Sequence, residues 1–402
     1  MLNAEKTDPQ SPSTGVHSAK KTHPEERGNY QGDPGCKKVL HVINGEHFSG
    51  AERVQDHLAA NLPQFGYEVS FACVKPDLFP AKRDYQSAPL YETRMRGRLD
   101  ILASRQITRL IREHEFDIVH AHTPRSALLA TLAAKRCQIP FVYHVHSPAS
   151  KDSTRKLVNW FNQQVEKWAL KNATRIVTVS DSLKKHMLSQ GFADSRLVVV
   201  PNGVPIQAGP VYISPSDEFI VGTVALFRPR KGTEVLLEAV AKLRDQGVPA
   251  RLLAVGPFET TEYEHLLKQK VRQLKIEEFV EWTGFTTDVA SYFAKMNLFV
   301  LPSLFGEGLP MVVLEAMSHR VPVVATAVEG IPQAIRHGTD GLICKAGDPV
   351  DLAAAVSQLA ADRSLCETFS ESSFRRQQES FSDVSMSRKL AKIYDELRQT
   401  PL

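Results

Sequence analysis

A chain of 402 residues is longer than one ordinary hydrophobic core accommodates, so two domains are expected. Its 42% hydrophobic and 23% charged residues are those of a water-exposed globular protein, and no apolar run approaches the roughly 18 residues that a spanning helix needs. The net charge of +4 is unevenly spread, with Lys and Arg in excess over residues 37–200 and Asp and Glu in excess from 201 onward. Such an asymmetry suits an anionic surface or acceptor on the first half, and equally a set of solvated helix faces.

Residues 1–36 are rich in Pro, Ser, Gly, Lys and Glu and hold too few apolar side chains for a core, so a disordered tail is expected. They also lack the apolar stretch of a signal peptide, which makes a cytoplasmic protein the expectation. Five scattered cysteines (Cys36, Cys73, Cys137, Cys344, Cys366) argue for reduced thiols and against a zinc site.

The folded chain begins at Lys37. Val39 to Ile43 reads as a strand, the loop NGEHFSG follows, and Val54, Leu58 and Leu62 recur at helical spacing in a helix from Ala51. Tyr67 to Val74 is the next strand. Residues 75–98 show no period but carry Lys82, Arg83, Arg94, Arg96 and Arg98, an irregular basic stretch of a kind that is usually functional. A helix from Leu99 to His114, a strand at Ile118 to Ala121, a helix at Ser126 to Ala134 and a strand at Phe141 to Val145 continue the alternation. Segment 154–171 is amphipathic, with Leu157, Phe161, Val165 and Trp168 along one face; a core-facing helix is expected over a membrane-surface one. Strands at Ile176 to Val179 and Leu197 to Val200 complete the first half.

Pro201-Asn202-Gly203 is a turn signal, and the proline-rich Pro205 to Ser216 marks the boundary between a domain at 37–205 and one at 206–380. The second restarts with strands at Phe219 to Val224 and Ala250 to Val255, helices at Glu234 to Gln246 and Tyr263 to Leu274, and a strand at Val280 to Trp282. Residues 381–402 form a last helix, expected to pack back toward the first domain. Strands alternating with helices imply doubly wound, largely parallel sheets, an α/β fold.

Leu298 to Thr326 is the richest stretch. An apolar run stops at Pro302 and Ser303, a loop holds Gly306, Glu307 and Gly308, Pro310 opens an apolar helix carrying Glu315, and Val321 to Ala325 is a second strand. A βαβ unit places ligands at the carboxyl ends of its strands, where loop N–H groups and a helix start form an anion site. A carboxylate inside an apolar helix must find donors. They are either a nearby arginine or the hydroxyls of a sugar or ribose.

In this order, the motifs resemble those of retaining glycosyltransferase family 4: E-x7-E from Glu307 to Glu315 in FGEGLPMVVLEAM, SGAER at Ser49 to Arg53, VHAHTPRSAL from Val119, HVHSP from His144, VTVSDSLKKHM from Val177, PNGV at Pro201 and RPRKG at Arg228 to Gly232. The likeness covers roughly Lys37 to Leu397. It implies the GT-B fold, two facing Rossmann-like domains with a deep cleft between them. The implied activity is transfer of a sugar from a nucleotide-diphosphate sugar to a hydroxyl of a saccharide or lipid-linked saccharide, with retention of anomeric configuration. The attack comes from the side the leaving group departs, and a phosphate oxygen takes the proton. Epimerases and hydrolases can share this fold, and a non-catalytic nucleotide-sugar binder is the reading from another class. A phosphorylase would be far longer.

By that resemblance Glu307, Lys231, Arg228 and His146 are the catalytic candidates. Ser49, Gly50, Arg230, Gly308, Leu309, Pro310, Met311 and Glu315 are donor-binding candidates, with Glu307 at the sugar, Glu315 at the ribose and Lys231 at the diphosphate. The arginine the family places five residues before the lysine is replaced here by Leu226, which leaves Arg228 and then Arg230 as substitutes. His122, His144, Arg94 and Arg96 are the acceptor-lining candidates. No H-x3-H pair and no Asp-x-Asp occurs, so no metal and no cofactor beyond the nucleotide-sugar co-substrate is expected. Nucleic acid is not an expected partner, whereas an anionic membrane surface is compatible with the basic first half.

Overall fold

The computed structural model describes residues 35–399 apart from 47, 49, 98–99, 148–155 and 208–217, and the side chains of 156–163 are also outside the description. The N-terminal tail and most of the proline-rich boundary segment therefore lie outside the described residues. Two parallel sheets account for the alternation. The first contains β1 (Lys37–Ile43), β2 (Tyr67–Cys73), β3 (Leu90–Glu92), β4 (Ile118–Ala121), β5 (Phe141–Val145), β6 (Arg175–Thr178) and β7 (Leu197–Val199), in the order β3-β2-β1-β4-β5-β6-β7. The second contains β8 (Phe219–Val224), β9 (Ala250–Val255), β10 (Val280–Gly284), β11 (Leu298–Leu301), β12 (Val323–Thr326) and β13 (Leu342–Cys344), in the order β10-β9-β8-β11-β12-β13.

Every pairing among these strands is parallel. Strands covered by helices on both faces are buried throughout, which is why β4, β5, β11 and β12 are short and largely apolar, with His120, His144 and Thr326 as polar members. Strand order reverses between β1 and β4 in one sheet and between β8 and β11 in the other. At each reversal the connections leave in opposite directions and open a crevice at the carboxyl ends.

Several elements differ from the sequence expectation. The aperiodic stretch 75–98 contains a short helix, Leu78–Lys82, and the edge strand β3, which is too brief to show alternation. The helix expected from Leu99 begins at Ala103, leaving Ile101 and Leu102 exposed ahead of it. The helix Lys156–Asn172 buries Ala169 and Leu170, whereas Trp168, expected on the core face, is 38% exposed. Ala169 and Leu170 take the buried face, and the Trp168 indole is turned outward, with Lys135 Nζ 5.5 Å from its ring centre. The strand at Leu342–Cys344 and the helices Pro349–Ala361 and Arg363–Ser380 had no counterpart in the sequence reading.

The chain crosses between the sheets twice, and the crossings touch. Val204 N donates to Phe381 O (3.0 Å) and Asp383 N to Val204 O (3.1 Å). Gly203 lies against the Ser382 carbonyl so closely that any Cβ would collide with it, which explains the glycine of the PNG turn. The last helix, Asp383–Gln399, then lies on Gly50–Asn61 of the first domain. Tyr67 Oη donates to Asp395 (2.5 Å), Asn61 Nδ2 donates to Asp383 (2.9 Å), and Tyr394 Oη sits 2.7 Å from His120 Nδ1 beneath the first sheet. Removing that buried hydroxyl leaves His120 without its partner, so Tyr394→Phe should lower stability by about 1–3 kcal/mol. A urea midpoint unchanged by the substitution would show that this contact does not hold the helix in place.

Candidate active site

The loops that leave β1, β4, β5, β8 and β11 at their carboxyl ends meet across one cleft of about 500 Å³. From the first sheet come Asn44, the start of Gly50–Asn61 with Arg53, then His122 and Thr123 after β4, and His146 after β5. Thr123 accepts from Ser126 N and caps the helix Pro124–Cys137, which fixes the path of the chain past the cleft. From the second sheet come Arg228, Arg230 and Lys231 in a tight turn at Pro229–Lys231, and residues 306–312. Met311 and Val312 open the helix Met311–Ser318 onto this cleft, and no side chain caps its start. Uncapped N–H groups at a helix N-terminus favour an anion.

Glu307 is the centre of the second wall. Its Oε1 accepts from Lys231 Nζ and from Ser303 Oγ, each at 2.6 Å, and lies 3.6 Å from Arg230 Nη1. Its backbone N–H donates to Glu329 Oε2 (3.0 Å), and Arg230 Nη1 donates to the carbonyl of Gly306 (3.0 Å). Burial pushes the Lys231 ammonium below its ordinary range, and Glu307 opposes that shift. Arg228 also lines the cleft, with Nη1 3.4 Å from Glu259 and a buried Nε that has no hydrogen-bond partner. Leu226 is 41% exposed and is not among the cleft-lining residues.

The two walls are joined directly. Arg53 Nη1 is 2.6 Å from Glu315 Oε1, Asn202 Nδ2 donates to Leu309 O (3.0 Å), and Asp181 N donates to Gln333 Oε1 (2.7 Å). Gly308 packs against the His146 carbonyl with no room for a Cβ. A glycine is needed there because two backbones approach across the domain interface.

Two family profiles match, one to each half of the chain: the one described as Glycosyltransferase Family 4 covers residues 48–208, and Glycosyl transferases group 1 covers 218–362. The chain belongs to the family 4 glycosyltransferases. Similar proteins include the UDP-Gal:alpha-D-GlcNAc-diphosphoundecaprenol alpha-1,3-galactosyltransferase of Escherichia coli, 22% identical over 82% of this chain and 89% of that one. Another is the capsular polysaccharide biosynthesis glycosyltransferase CapM of Staphylococcus aureus, 25% identical over 69% of this chain and 76% of that one. Among solved structures, Anabaena HepE in complex with UDP superposes with a TM-score of 0.78 at 22% identity, covering 90% of this chain and 100% of that one.

Within this glycosyltransferase, the cleft collects Gly50, His122, His146, Arg228, Arg230, Lys231, Glu307, Gly308, Leu309, Pro310 and Met311. Pro310 is extended and precedes the helix by one residue instead of opening it, because its φ is helical but its ψ is not. Glu315 stands behind the lining, paired to Arg53, so the nearby-arginine alternative is the arrangement seen. Ser49 lies outside the described residues. His144 is fully buried beneath the cleft floor and does not line it. Arg94 and Arg96 are also away from the cleft: both are exposed beyond the edge strand β3, and Arg94 pairs with its neighbour Glu92 at 2.8 Å. Arg53, Ser303 and Asn202 also belong to the site, held respectively to Glu315, Glu307 and the Leu309 carbonyl. Arg53 and Asn202 reach partners in the other domain, which no sequence motif signals, whereas Ser303 lies four residues from Glu307 in the same loop.

His41, His120, His122, His144 and His146 form a ladder at the ends of β1, β4 and β5. Adjacent rings stack at 4.3 Å for His120–His122 and 4.5 Å for His144–His146, and His122 Nδ1 lies 2.9 Å from His146 Nε2. His41, His120 and His122, and likewise His122, His144 and His146, bring ring nitrogens within 4.8 Å of one another. The rings are not all parallel: His41 meets His120 edge-on at 60°, and His122 is tilted 32° to His144. Desolvation by burial holds His41 at about 3 and His146 at about 4, and pushes His120, His122 and His144 well down.

A folded-state value below the unfolded 6.5 means that the unfolded chain takes up protons first, so stability falls as pH drops from about 6.5 toward 4. Between pH 7 and 5 each histidine kept neutral should cost about 2 kcal/mol. Urea midpoints measured across this window should fall, and His41→Phe should make the fall shallower. A midpoint that stays level from pH 7 to 5 would contradict the neutral ladder.

Proposed function

We propose that the enzyme moves a sugar from a nucleotide-diphosphate sugar to a hydroxyl of a saccharide or lipid-linked saccharide, with retention at the anomeric carbon and without a metal ion. The observation that carries this reading is the convergence of Lys231, Arg230 and Arg228, all from one short turn, on the cleft beside the uncapped start of Met311–Ser318. A departing diphosphate gains negative charge as the glycosidic bond lengthens, and fixed cations and helix N–H groups stabilise that charge without reorganising. Lys231 is the principal cation. Arg228, with its Nε unpartnered, takes the place that Leu226 leaves vacant.

Retention is supported by what the carboxylates are already doing. Glu307 is engaged by Lys231 and Ser303, and Glu315 by Arg53, so neither is a free nucleophile or base. His146 is held neutral in the cleft wall and suits a hydrogen bond to a sugar hydroxyl. A same-face displacement, in which the donor's own phosphate oxygen receives the acceptor proton, asks for no further protein base. Uridine is the base to test first, since the E. coli relative is named for UDP-Gal and HepE was solved with UDP and with UDP-glucose. A thermal-shift series with UDP-, GDP- and ADP-sugars reads this directly, because a ligand of the folded state raises the melting temperature. The proposed site of action is the cytoplasmic face of a membrane that presents the acceptor; among the described residues no helix is long and apolar enough to cross one.

Lys231→Ala should lower kcat by roughly 10²–10³-fold, the range for losing one preorganised stabiliser of transition-state charge. Glu315→Ala should act chiefly on donor KM. Turnover unchanged in Lys231→Ala would remove the diphosphate assignment. Dialysis against EDTA should leave transfer to acceptor intact, whereas activity lost to EDTA and restored by Mg²⁺ would overturn metal independence.

A further inference from the structure

In VHAHTPRSAL and HVHSP the histidines alternate, so an extended chain turns both members of each pair to one face of the sheet. The second members, His122 and His146, directly follow β4 and β5, which are neighbours in the sheet. Both line the cleft, His122 buried and His146 half-buried. Their rings are inclined by only 18° and meet at an Nδ1–Nε2 distance of 2.9 Å.

Burial keeps both imidazoles neutral, so each carries one N–H and one bare nitrogen. The hydrogen bond between them holds one proton, and its direction decides where both rings carry theirs. Two observations choose that direction. His122 Nε2 is buried and has no hydrogen-bond partner among the described residues. A buried N–H without an acceptor is rarer than an unsatisfied acceptor, so the His122 proton belongs on Nδ1, facing His146. The Asn202 side chain also stands beside His146, close enough to favour the protonated form of that imidazole. Asn202 Nδ2 donates to Leu309 O, so its buried Oδ1, which has no partner of its own, is the atom left to receive an N–H from His146. With Nε2 taken by His122, that N–H is on Nδ1.

We infer that His122 is a positioning residue: its Nδ1–H donates to His146 Nε2 and fixes the His146 proton on Nδ1, so that His146 meets a bound sugar as a hydrogen-bond donor. That a sugar lies here rests on the nucleotide-sugar reading of the cleft, whereas the placement of the two protons does not. An imidazole free to exchange tautomers would offer a hydroxyl oxygen a lone pair in part of the molecules. Fixing the donor in advance removes that cost from binding and holds the sugar in one orientation toward the diphosphate.

The test is nitrogen–proton correlation NMR of the full chain with isotope-labelled histidine, without ligand and at neutral pH, the His146 signals being assigned by their loss in His146→Gln. The wild type should show His146 protonated on Nδ1 and bare on Nε2. In His122→Leu both tautomers should appear, and in His122→Asn, whose amide N–H can stand where Nδ1–H stood, the single tautomer should return. The second readout is the ratio of UDP-glucose affinity to UDP affinity by calorimetry, or that of the matching GDP or ADP pair where that is the one bound. His122→Leu should lower this ratio about 3–10-fold, the loss of one well-placed hydrogen bond, without changing affinity for the nucleoside diphosphate, and His122→Asn should restore it. A wild-type His146 protonated on Nε2 would overturn the inference with no variant needed. So would a single His146 tautomer in His122→Leu, or an unchanged affinity ratio in that variant. The expected tautomer in a chain that binds none of these nucleotides or nucleotide sugars would keep the proton placement and count against the donor reading instead.

Discussion

The buried carboxylate of Glu307 is the interaction on which the second wall of the cleft depends. It lies in a glycine-bearing loop after β11, yet it is held from two sides, by Ser303 at the strand end and by Lys231 from the turn after β8. An unpaired carboxylate or ammonium at that depth would be costly, so each charge fixes the other in place. The pair thereby ties together the two strands that flank the strand-order reversal of the second sheet. It also brings the whole turn Pro229–Lys231, with its two arginines, to the cleft instead of to solvent.

The opposite wall is of a different electrical character. Five imidazoles pack together at the carboxyl ends of β1, β4 and β5, and burial lowers their pKa values, so they offer hydrogen-bonding groups with little charge. Arg53, whose charge is spent on Glu315 across the gap, and the carboxylates of Glu52 and Glu166, the latter accepting from Tyr143 Oη, are its charged members. A cationic turn on the second wall facing a first wall of imidazoles and carboxylates matches a bound group that is anionic at one end and hydroxyl-rich at the other. The approach of Gly308 to the His146 carbonyl shows how near the walls come, and why side chains are excluded at that point.

The excess of basic residues in 37–200 divides between two places that composition alone does not separate. A minority, Arg53 and Arg125 among them, sits at or near the cleft and is paired with acids. Another group, Arg105, Arg109, Arg112, Lys135, Arg136, Lys167 and Lys171, lies on the helices Ala103–His114, Pro124–Cys137 and Lys156–Asn172, away from the cleft. Arg94 and Arg96, selected because they fall in an aperiodic stretch, belong to neither, since an edge strand leaves its flanking side chains in solvent.

The α/β architecture and most strands and helices were legible in the sequence, because apolar period and turn residues are local and most strands are short and largely apolar. So were the glycine loop with its two carboxylates and the cationic turn, since each is one contiguous motif. The indole of Trp168 was misread because several faces of one helix carry apolar residues and only packing against the sheet selects among them. What tertiary structure alone decided are the pairings: Glu315 with Arg53, Glu307 with Lys231 and Ser303, Leu309 with Asn202, and the five histidines with one another. Apart from Ser303 and Glu307, four residues apart in one loop, each joins groups that are distant in the chain, and their proximity follows from strand order and from how closely the two sheets approach, which no local pattern encodes.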